Sequence, residues 1–240
     1  MEKLTKQEKK ELRKSEWQEN LKKEERNKKV KKILVFVGLF VVLALATFTL
    51  IQFVNSPQSN TTINIPPINN TDIKIGDSKG KVVLTEYADF QCPACAAYHP
   101  LVNQLLKDYQ GQIYLVYRFF PLTTVHQNAM IAAQAGYAAY LQGKFEDMYN
   151  MLFDNQASWA TASNPEDIFI SYAKKLGLDT NKFQKDLEAG ETKNFIQNEY
   201  NQGLSAGINS TPTFFINGKI IQNPQSYNDF KKLIDQRLKN

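Results

Sequence analysis

Two cysteines stand three residues apart at a junction between strand-like and helix-like sequence, and no other feature restricts the fold as strongly. Residues 82–84 form an apolar run whose length is typical of a buried strand. The sequence Cys-Pro-Ala-Cys over residues 92–95 then opens a helical pattern of apolar residues that continues to Leu106. Because Pro93 is tolerated in the first turn of a helix, the pattern places Cys92 at the helix N-terminus.

A cysteine at a helix N-terminus is chemically active. Unpaired N–H groups and the positive end of the helix dipole favour the thiolate, which is the nucleophilic form of cysteine. Cys95 lies one turn further along, where its thiol can resolve a mixed disulfide formed on Cys92. The spacing therefore predicts that Cys92 and Cys95 form a redox-active disulfide.

Other uses of a Cys-x-x-Cys pair fit this chain less well. A zinc site would have to add His99 and His126, and that spacing matches no zinc motif. A c-type haem needs histidine directly after the second cysteine, where this chain has Ala96, and an iron–sulfur cluster needs more thiolates. A purely structural disulfide would close a very short loop and stabilise little. We therefore predict redox chemistry without a metal ion or another cofactor.

The positive charge of the chain is local. The net charge is +5, but residues 1–32 hold 13 Lys and Arg against 7 Asp and Glu, a net charge of +6. The other 208 residues hold 16 basic and 17 acidic side chains, a net charge of −1. Nucleic-acid binding, which needs basic side chains concentrated on the folded domain, is therefore not expected.

The N-terminal part of the sequence is typical of a membrane anchor. An uncharged apolar run begins at Ile33 and ends at Val54, and its 22 residues would extend ~33 Å as a helix, enough to cross a bilayer core of ~30 Å. Lysines concentrated in residues 28–32 predict that the tail over residues 1–32 is cytoplasmic and the C-terminal domain extracytoplasmic. A cleaved signal peptide with a cleavage site near residues 44–46 is the alternative.

The remaining sequence predicts a linker and one α/β domain. Residues 55–71 are rich in Asn, Ser, Thr and Pro and are expected to be a flexible linker. The domain over residues 72–240 continues after the cysteines with a second core strand at residues 112–120, which Pro121 ends. A helical pattern then covers about residues 125–206, as an insertion into a smaller α/β frame.

The C-terminal part of the sequence supplies a second motif. Residues 210–216 are expected to form a strand with Pro212 at its start. Asn217-Gly218 follows and is a strong hairpin signal between this strand and residues 219–221. An amphipathic helix over residues 225–238 ends the pattern, so the order is β-α-β, helical insertion, β-β-α.

The sequence resembles the thioredoxin-fold, DsbA-like thiol-disulfide oxidoreductases, in particular the membrane-anchored bacterial kind. The resemblance rests on residues 89–95, residues 210–218 and the helical block between them. The resemblance covers about residues 72–238 and implies a thioredoxin fold with an inserted helical subdomain. It also implies that Pro212 is in the cis form and lies against Cys92. The backbone of Thr211 is then free to pair with an extended substrate.

The resemblance assigns further roles at the site. Pro93 and Ala94, between the cysteines, join Thr211 and Pro212 as expected substrate-binding residues. Glu86 matches the acid beneath the active site and is expected to relay a proton to or from Cys95, although it could be an ordinary exposed strand residue. The best-known oxidases have a histidine where this chain has Ala94.

The two histidines are not expected to take part in the chemistry. His99 is expected on a helix surface, and His126 at the start of a helix.

The expected function is catalysis of disulfide formation in secreted proteins, outside the cell membrane. A quinone-linked membrane partner, implied by the resemblance alone, would reoxidise Cys92 and Cys95. A reductase or an isomerase of the same fold is the alternative within this class of enzyme. A peptide-binding module without catalysis is the alternative from another class, and the two intact cysteines argue against it.

Overall fold

The computed structural model describes residues 63–239 and seven isolated helical positions, residues 17, 23, 29, 40, 43, 45 and 47. The predicted tail over residues 1–32, the predicted span over residues 33–54 and the alternative cleavage site thus lie outside the described residues, apart from these positions. In the part that is described, no helix is both long enough and apolar enough for a membrane crossing. Residues 63–239 lie in one compact unit.

A five-stranded sheet lies at the centre of this unit, in the strand order β1-β3-β2-β4-β5. Strands β2 and β3 are parallel, and the other neighbouring pairs are antiparallel. β2 and β3 are almost entirely buried because layers of helix cover the sheet. The strands are β1 (Ile73–Gly76), β2 (Val82–Ala88), β3 (Ile113–Phe119), β4 (Thr213–Ile216) and β5 (Lys219–Ile220).

Eight helices accompany the sheet within residues 63–239. Parallel strands need a long crossover, and α1 supplies it between β2 and β3. Six helices lie between β3 and β4, and the last helix follows β5. The helices are α1 (Pro93–Asp108), α2 (Ala129–Tyr140), α3 (Phe145–Asp154), α4 (Gln156–Trp159), α5 (Glu166–Lys175), α6 (Thr180–Glu188), α7 (Gly190–Ser205) and α8 (Tyr227–Leu238).

The element order agrees with the sequence prediction except at three places. β1 was not predicted, and it pairs antiparallel with β3 at the sheet edge. Within the predicted helical pattern of residues 125–206, the first part is divided into two helices, α2 and α3, because the chain turns at Gly143, where φ is 71°. The short helix α4 was also not predicted. The predicted hairpin is present, with positive φ at both Asn217 and Gly218.

Part of the predicted linker lies against the folded domain. Arg118 of β3 is 4% exposed and forms an ion pair with Asp72, with 3.0 Å between Nη2 and Oδ1. The same guanidinium donates from Nη1 to the Pro66 carbonyl at 3.0 Å, and the Asn69 N–H donates to Asp72 Oδ2 at 2.6 Å. These contacts hold residues 63–71 on the edge of the sheet.

Aromatic side chains fill the core directly beneath the predicted redox site. Phe90 stacks on Tyr117 with 5.1 Å between ring centroids, and both rings lie beside Tyr149 of α3. This packing joins the loop before the cysteines to the helical insertion.

Candidate active site

The two cysteines lie where strand β2 gives way to helix α1. Cys92 is the N-cap residue, with an extended backbone, and Pro93 occupies the first helical turn as predicted. The Cys92 carbonyl accepts the first hydrogen bond of the helix from the Ala96 N–H at 3.1 Å. Both cysteines are free thiols in this structure, and their exposed fractions are 7% for Cys92 and 0% for Cys95.

The second motif meets the first at the sulfur of Cys92. The Thr211–Pro212 peptide bond is cis, and the Cys92 thiol donates to the Thr211 carbonyl with 3.5 Å between Sγ and the oxygen. These residues are 119 positions apart in the sequence. Pro93 and Ala94 are exposed at the same end of α1, so the four residues predicted to bind substrate flank one sulfur atom.

The surroundings of Cys92 favour its thiolate. A hydrogen bond with the Cys95 side chain, the neighbouring Thr211 side chain and the N–H groups of Cys95 and Ala94 together lower the pKa of Cys92 to about 5. Burial acts in the opposite direction but is outweighed. Cys92 is therefore mostly ionised at neutral pH, although no histidine stands at position 94.

Cys95 and Glu86 lie deeper and are neutral at the same pH. Burial, followed by the hydrogen bond to Cys92 and the charge of Glu86, raises the pKa of Cys95 well above its usual value. Glu86 of β2 is 1% exposed, and burial followed by the Cys92 thiolate raises its pKa to about 8. Among the described residues, Glu86 Oε2 has no hydrogen-bond partner. A carboxyl that exchanges its proton near pH 8 thus lies below the inner thiol.

Comparison with known proteins agrees with this geometry. The family model described as Thioredoxin matches residues 68–236, which is more than half of the chain. The chain belongs to the thioredoxin family.

Individual relatives share different lengths of the thioredoxin domain. The Na(+)/H(+) antiporter NhaA 3 of Salinispora tropica is 37% identical over 144 residues, and this match covers 60% of the chain but 21% of the antiporter. A probable disulfide bond formation protein D of Bacillus cereus is 28% identical over 177 residues, 71% of this chain and 80% of that protein.

A solved structure supports the same fold. Oxidised BdbD from Bacillus subtilis matches with a TM-score of 0.67 and 19% identity, over 75% of this chain and 100% of that chain. The resemblance to DsbA-like thioredoxin-fold proteins is thus confirmed for the fold.

Asp89 organises the loop before the cysteines in this thioredoxin domain, and its role was not recognised from the sequence. Its carboxylate accepts from the Gln91 N–H at 2.8 Å and from the Leu122 N–H at 3.0 Å. His126 Nδ1 lies 2.6 Å from Asp89 Oδ2. The Cys92 N–H donates to the Asp89 carbonyl at 3.0 Å. The sequence did contain one indication of this role, since Asp89 is an acidic residue at the end of a predicted buried strand and lies three residues before the first cysteine.

The expectation that His99 lies on a helix surface is wrong. His99 is 5% exposed, because α3 packs over this side of α1. Its Nε2 lies 2.8 Å from Asn150 Oδ1, and its ring contacts Tyr149 with 5.0 Å between centroids. His126 precedes α2 as predicted, but its contact with Asp89 connects it to the active-site loop.

Apart from the buried Asp89 and Glu86, five segments of the sequence near Cys92 contain no Asp, Glu, Lys or Arg. Two of the segments contain the cysteines and the Thr211–Pro212 peptide bond, which meet at Cys92. The other three form hydrogen bonds close to these residues, through the Leu122 N–H to Asp89, the Ala160 carbonyl to Gln91 and the Asn223 amide to Pro212. Their exposed side chains are mainly Ala, Thr, Ser, Asn, Gln and Pro. The uncharged segments are residues 90–106, 119–143, 155–165, 200–218 and 220–228.

No group of three or more His, Cys, Asp or Glu side chains that could hold a metal ion occurs among residues 63–239 and the isolated positions.

Proposed function

We propose that this chain is a membrane-anchored thiol-disulfide oxidoreductase that forms disulfides in secreted proteins outside the cell membrane. The observation that carries the proposal is the position of Cys92, an N-terminal helix cysteine with a pKa of about 5, against the cis Pro212 loop. Membership of the thioredoxin family agrees with this chemistry.

The catalytic cycle begins from the disulfide between Cys92 and Cys95. A substrate thiolate attacks Cys92 Sγ, the bond between the two sulfurs breaks, and the leaving Cys95 sulfur receives a proton from the neutral Glu86 carboxyl. A second substrate thiolate then attacks the substrate sulfur of the mixed disulfide, and Cys92 leaves as a stable thiolate. The substrate has lost two electrons and the cysteine pair has gained them.

The proposed substrates are extended segments of unfolded proteins. The backbone of the half-buried Thr211 can pair with the backbone of a substrate, as a strand pairs with a sheet edge. The exposed side chains of the five uncharged segments repel neither sign of charge, so substrate segments of varied composition fit. Pro93 and Ala94 are exposed beside the sulfur and would contact the substrate during exchange.

The direction of transfer follows from the stability of the Cys92 thiolate. A lower thiolate pKa stabilises the reduced form, and a stable reduced form makes the disulfide a stronger oxidant. The value of about 5 lies between the ~3.5 of DsbA and the ~7 of thioredoxin. Oxidation is therefore favoured over reduction, even with Ala94 in place of histidine.

The membrane location rests on residues 33–54. Phe40, Leu43 and Leu45 are helical and between 59% and 73% exposed, as expected for side chains that contact lipid. A quinone-linked membrane protein is the proposed oxidant of the reduced pair. Alkaline extraction of membranes tests the anchor, because a spanning protein stays in the membrane pellet and a peripheral one is released.

The decisive experiment combines a reduction potential with a substrate assay. We expect the full chain, equilibrated with glutathione buffers, to have a potential between about −120 mV and about −180 mV. We also expect the oxidised chain to introduce disulfides into a reduced, unfolded protein. A potential near the ~−270 mV of thioredoxin would instead indicate a reductase. Faster repair of scrambled disulfides than formation of new ones would indicate an isomerase.

Glu86 is expected to accept the proton of Cys95 when the reduced protein is reoxidised. Glutathione disulfide first forms a mixed disulfide on Cys92, and Cys95 must lose its proton to displace glutathione. The displacement should accelerate as the pH rises toward about 8, because the Glu86 carboxyl becomes ionised over that range. In Glu86→Gln this acceleration should disappear, and the displacement should slow about tenfold or more.

Mass spectrometry of acid-quenched samples measures the mixed disulfide, which should accumulate in Glu86→Gln. The matched control is Glu166→Gln, an exposed glutamate in the first turn of α5. Equal pH profiles for the native chain and Glu86→Gln would contradict the proton-transfer role.

A further inference from the structure

We propose that Gln156, in the helical insertion, is a positioning residue that holds Cys92 in its reactive orientation. The inference rests on the proposed exchange at Cys92 and adds a residue that the sequence did not indicate. It also gives the insertion a direct connection to the redox chemistry, through one side-chain amide.

Gln156 uses both protons of its side-chain amide on the active-site loop. Its Nε2 donates to the Phe90 carbonyl at 2.7 Å and to the Cys92 carbonyl at 3.1 Å. The two carbonyls lie on either side of Gln91. The Cys92 carbonyl thus accepts from the Gln156 side chain and from the Ala96 N–H, the latter at 3.1 Å.

The turn that carries Gln156 is itself firmly held. Trp159, three residues further along α4, is fully buried and donates from its indole nitrogen to the Leu152 carbonyl at 2.8 Å. Gln91 adds a connection in the opposite direction, donating from Nε2 to the Ala160 carbonyl at 2.7 Å. Three hydrogen bonds thus join residues 156–160 to the loop before α1.

These contacts fix both peptide groups of Cys92. Its N–H is held by the Asp89 carbonyl at 3.0 Å, and its carbonyl is held by Gln156. The direction of the side chain follows from the orientation of these peptide groups, so Gln156 helps to place Sγ beside Thr211 and Cys95. The amide hydrogens also bring partial positive charge close to Cys92, which favours the thiolate.

The test replaces the amide with an apolar side chain of similar length. In Gln156→Met we expect the pKa of Cys92 to rise by about half a unit to one unit, because Sγ is no longer held in place beside Cys95 and Thr211 and the partial positive charge of the amide is lost. Alkylation of the reduced chain by iodoacetamide at pH 5 should consequently slow about twofold to fivefold. Titration of the ultraviolet absorbance of the thiolate measures the pKa directly.

The matched control is Gln142→Met. Gln142 is also in the insertion, and its amide also forms two hydrogen bonds, with the Asp179 N–H at 3.0 Å and the Asp179 carbonyl at 3.2 Å. It should lose comparable stability without a change in the pKa of Cys92. Equal Cys92 pKa values in native, Gln156→Met and Gln142→Met chains would overturn the proposal.

A second variant covers the case in which Gln156→Met fails to fold. Gln156→Glu keeps the shape, and as a carboxylate it removes both donated protons and places a negative charge beside the active-site loop, which should raise the pKa of Cys92 further. An unchanged pKa in a folded Gln156→Glu chain would also overturn the proposal. Titration and alkylation need no protein substrate, so they remain informative if disulfide formation itself is not observed.

Discussion

Replacing Cys92 with serine is expected to reduce the oxidation of a protein substrate to the uncatalysed rate. Serine has no accessible anionic form at neutral pH and cannot form a disulfide, so neither step of the exchange can occur. The chain contains two cysteines in total, which means that Cys92→Ser leaves only the buried Cys95 thiol. Absorbance or mass assays of substrate disulfides measure the loss directly.

Cys95→Ser should behave differently and is the informative partner of that variant. A serine hydroxyl at position 95 can still donate to the Cys92 sulfur, so the Cys92 thiolate should remain stable. Cys92 then attacks an oxidised substrate, and the mixed disulfide persists because no second thiol displaces it. We expect stable covalent complexes with Cys95→Ser and none with Cys92→Ser.

The double variant separates an enzyme from a binding module. If the chain acts by holding peptides, Cys92→Ser with Cys95→Ser should keep the activity of the native protein in preventing aggregation of unfolded substrates. If it acts by exchange, disulfide formation should be lost in the double variant. Full retention of substrate oxidation by Cys92→Ser would refute the proposed function.

Asp72→Asn is expected to lower the free energy of unfolding by about 3 kcal/mol at pH 7. The substitution keeps the shape of the side chain but leaves the buried Arg118 guanidinium without its negative partner, and an unpaired buried charge costs about 3–5 kcal/mol. Urea unfolding followed by near-ultraviolet circular dichroism measures the effect, since fully buried Trp159 reports on the native packing.

Glu199 gives this loss a pH dependence. Burial raises the pKa of Glu199 to about 8, against the favourable effects of the Phe119 N–H and Arg118. The carboxyl is therefore mostly neutral at pH 7 and does not replace Asp72. Above pH 8 it ionises and partly compensates the Arg118 charge, so the destabilisation by Asp72→Asn should be smaller at pH 9 than at pH 7.

Two control variants test whether the loss of stability in Asp72→Asn comes from the unpaired charge of Arg118. Asp147→Asn breaks an exposed pair with Lys144, in which both side chains are 48% exposed, and should cost less than about 1 kcal/mol. Asp72→Asn combined with Arg118→Met removes both charges and should be more stable than Asp72→Asn alone. If Asp72→Asn lowers the free energy of unfolding no more than Asp147→Asn does, the buried ion pair between Asp72 and Arg118 contributes little to stability.

The predictable parts of the fold and the site are those with local signals in the sequence. Pro93 after Cys92 places the helix start, and Asn217-Gly218 marks the hairpin, because each residue type restricts its own backbone angles. The meeting of Cys92 with Thr211 was expected from a family resemblance. No local pattern connects positions 119 residues apart.

The missed parts depend on long-range hydrogen bonds. Gln156 contacts the Cys92 carbonyl across 64 positions, and nothing distinguishes it from other glutamines in the sequence. His126 and Asp89 are 37 positions apart. The Asn- and Pro-rich composition of residues 63–71 predicts a flexible segment, but Arg118 donates to the Pro66 carbonyl, and Ile63 and Ile65 pack against buried apolar side chains of the domain.

The opposite protonation of the two sulfurs has a consequence for proton stoichiometry. Near pH 6 the reduced pair keeps Cys92 ionised and Cys95 protonated, so reduction takes up about one proton instead of two. For a two-electron couple, one proton corresponds to about 30 mV per pH unit. Mild acidification would then raise the reduction potential of the Cys92–Cys95 pair only half as steeply as it would that of a pair of ordinary thiols.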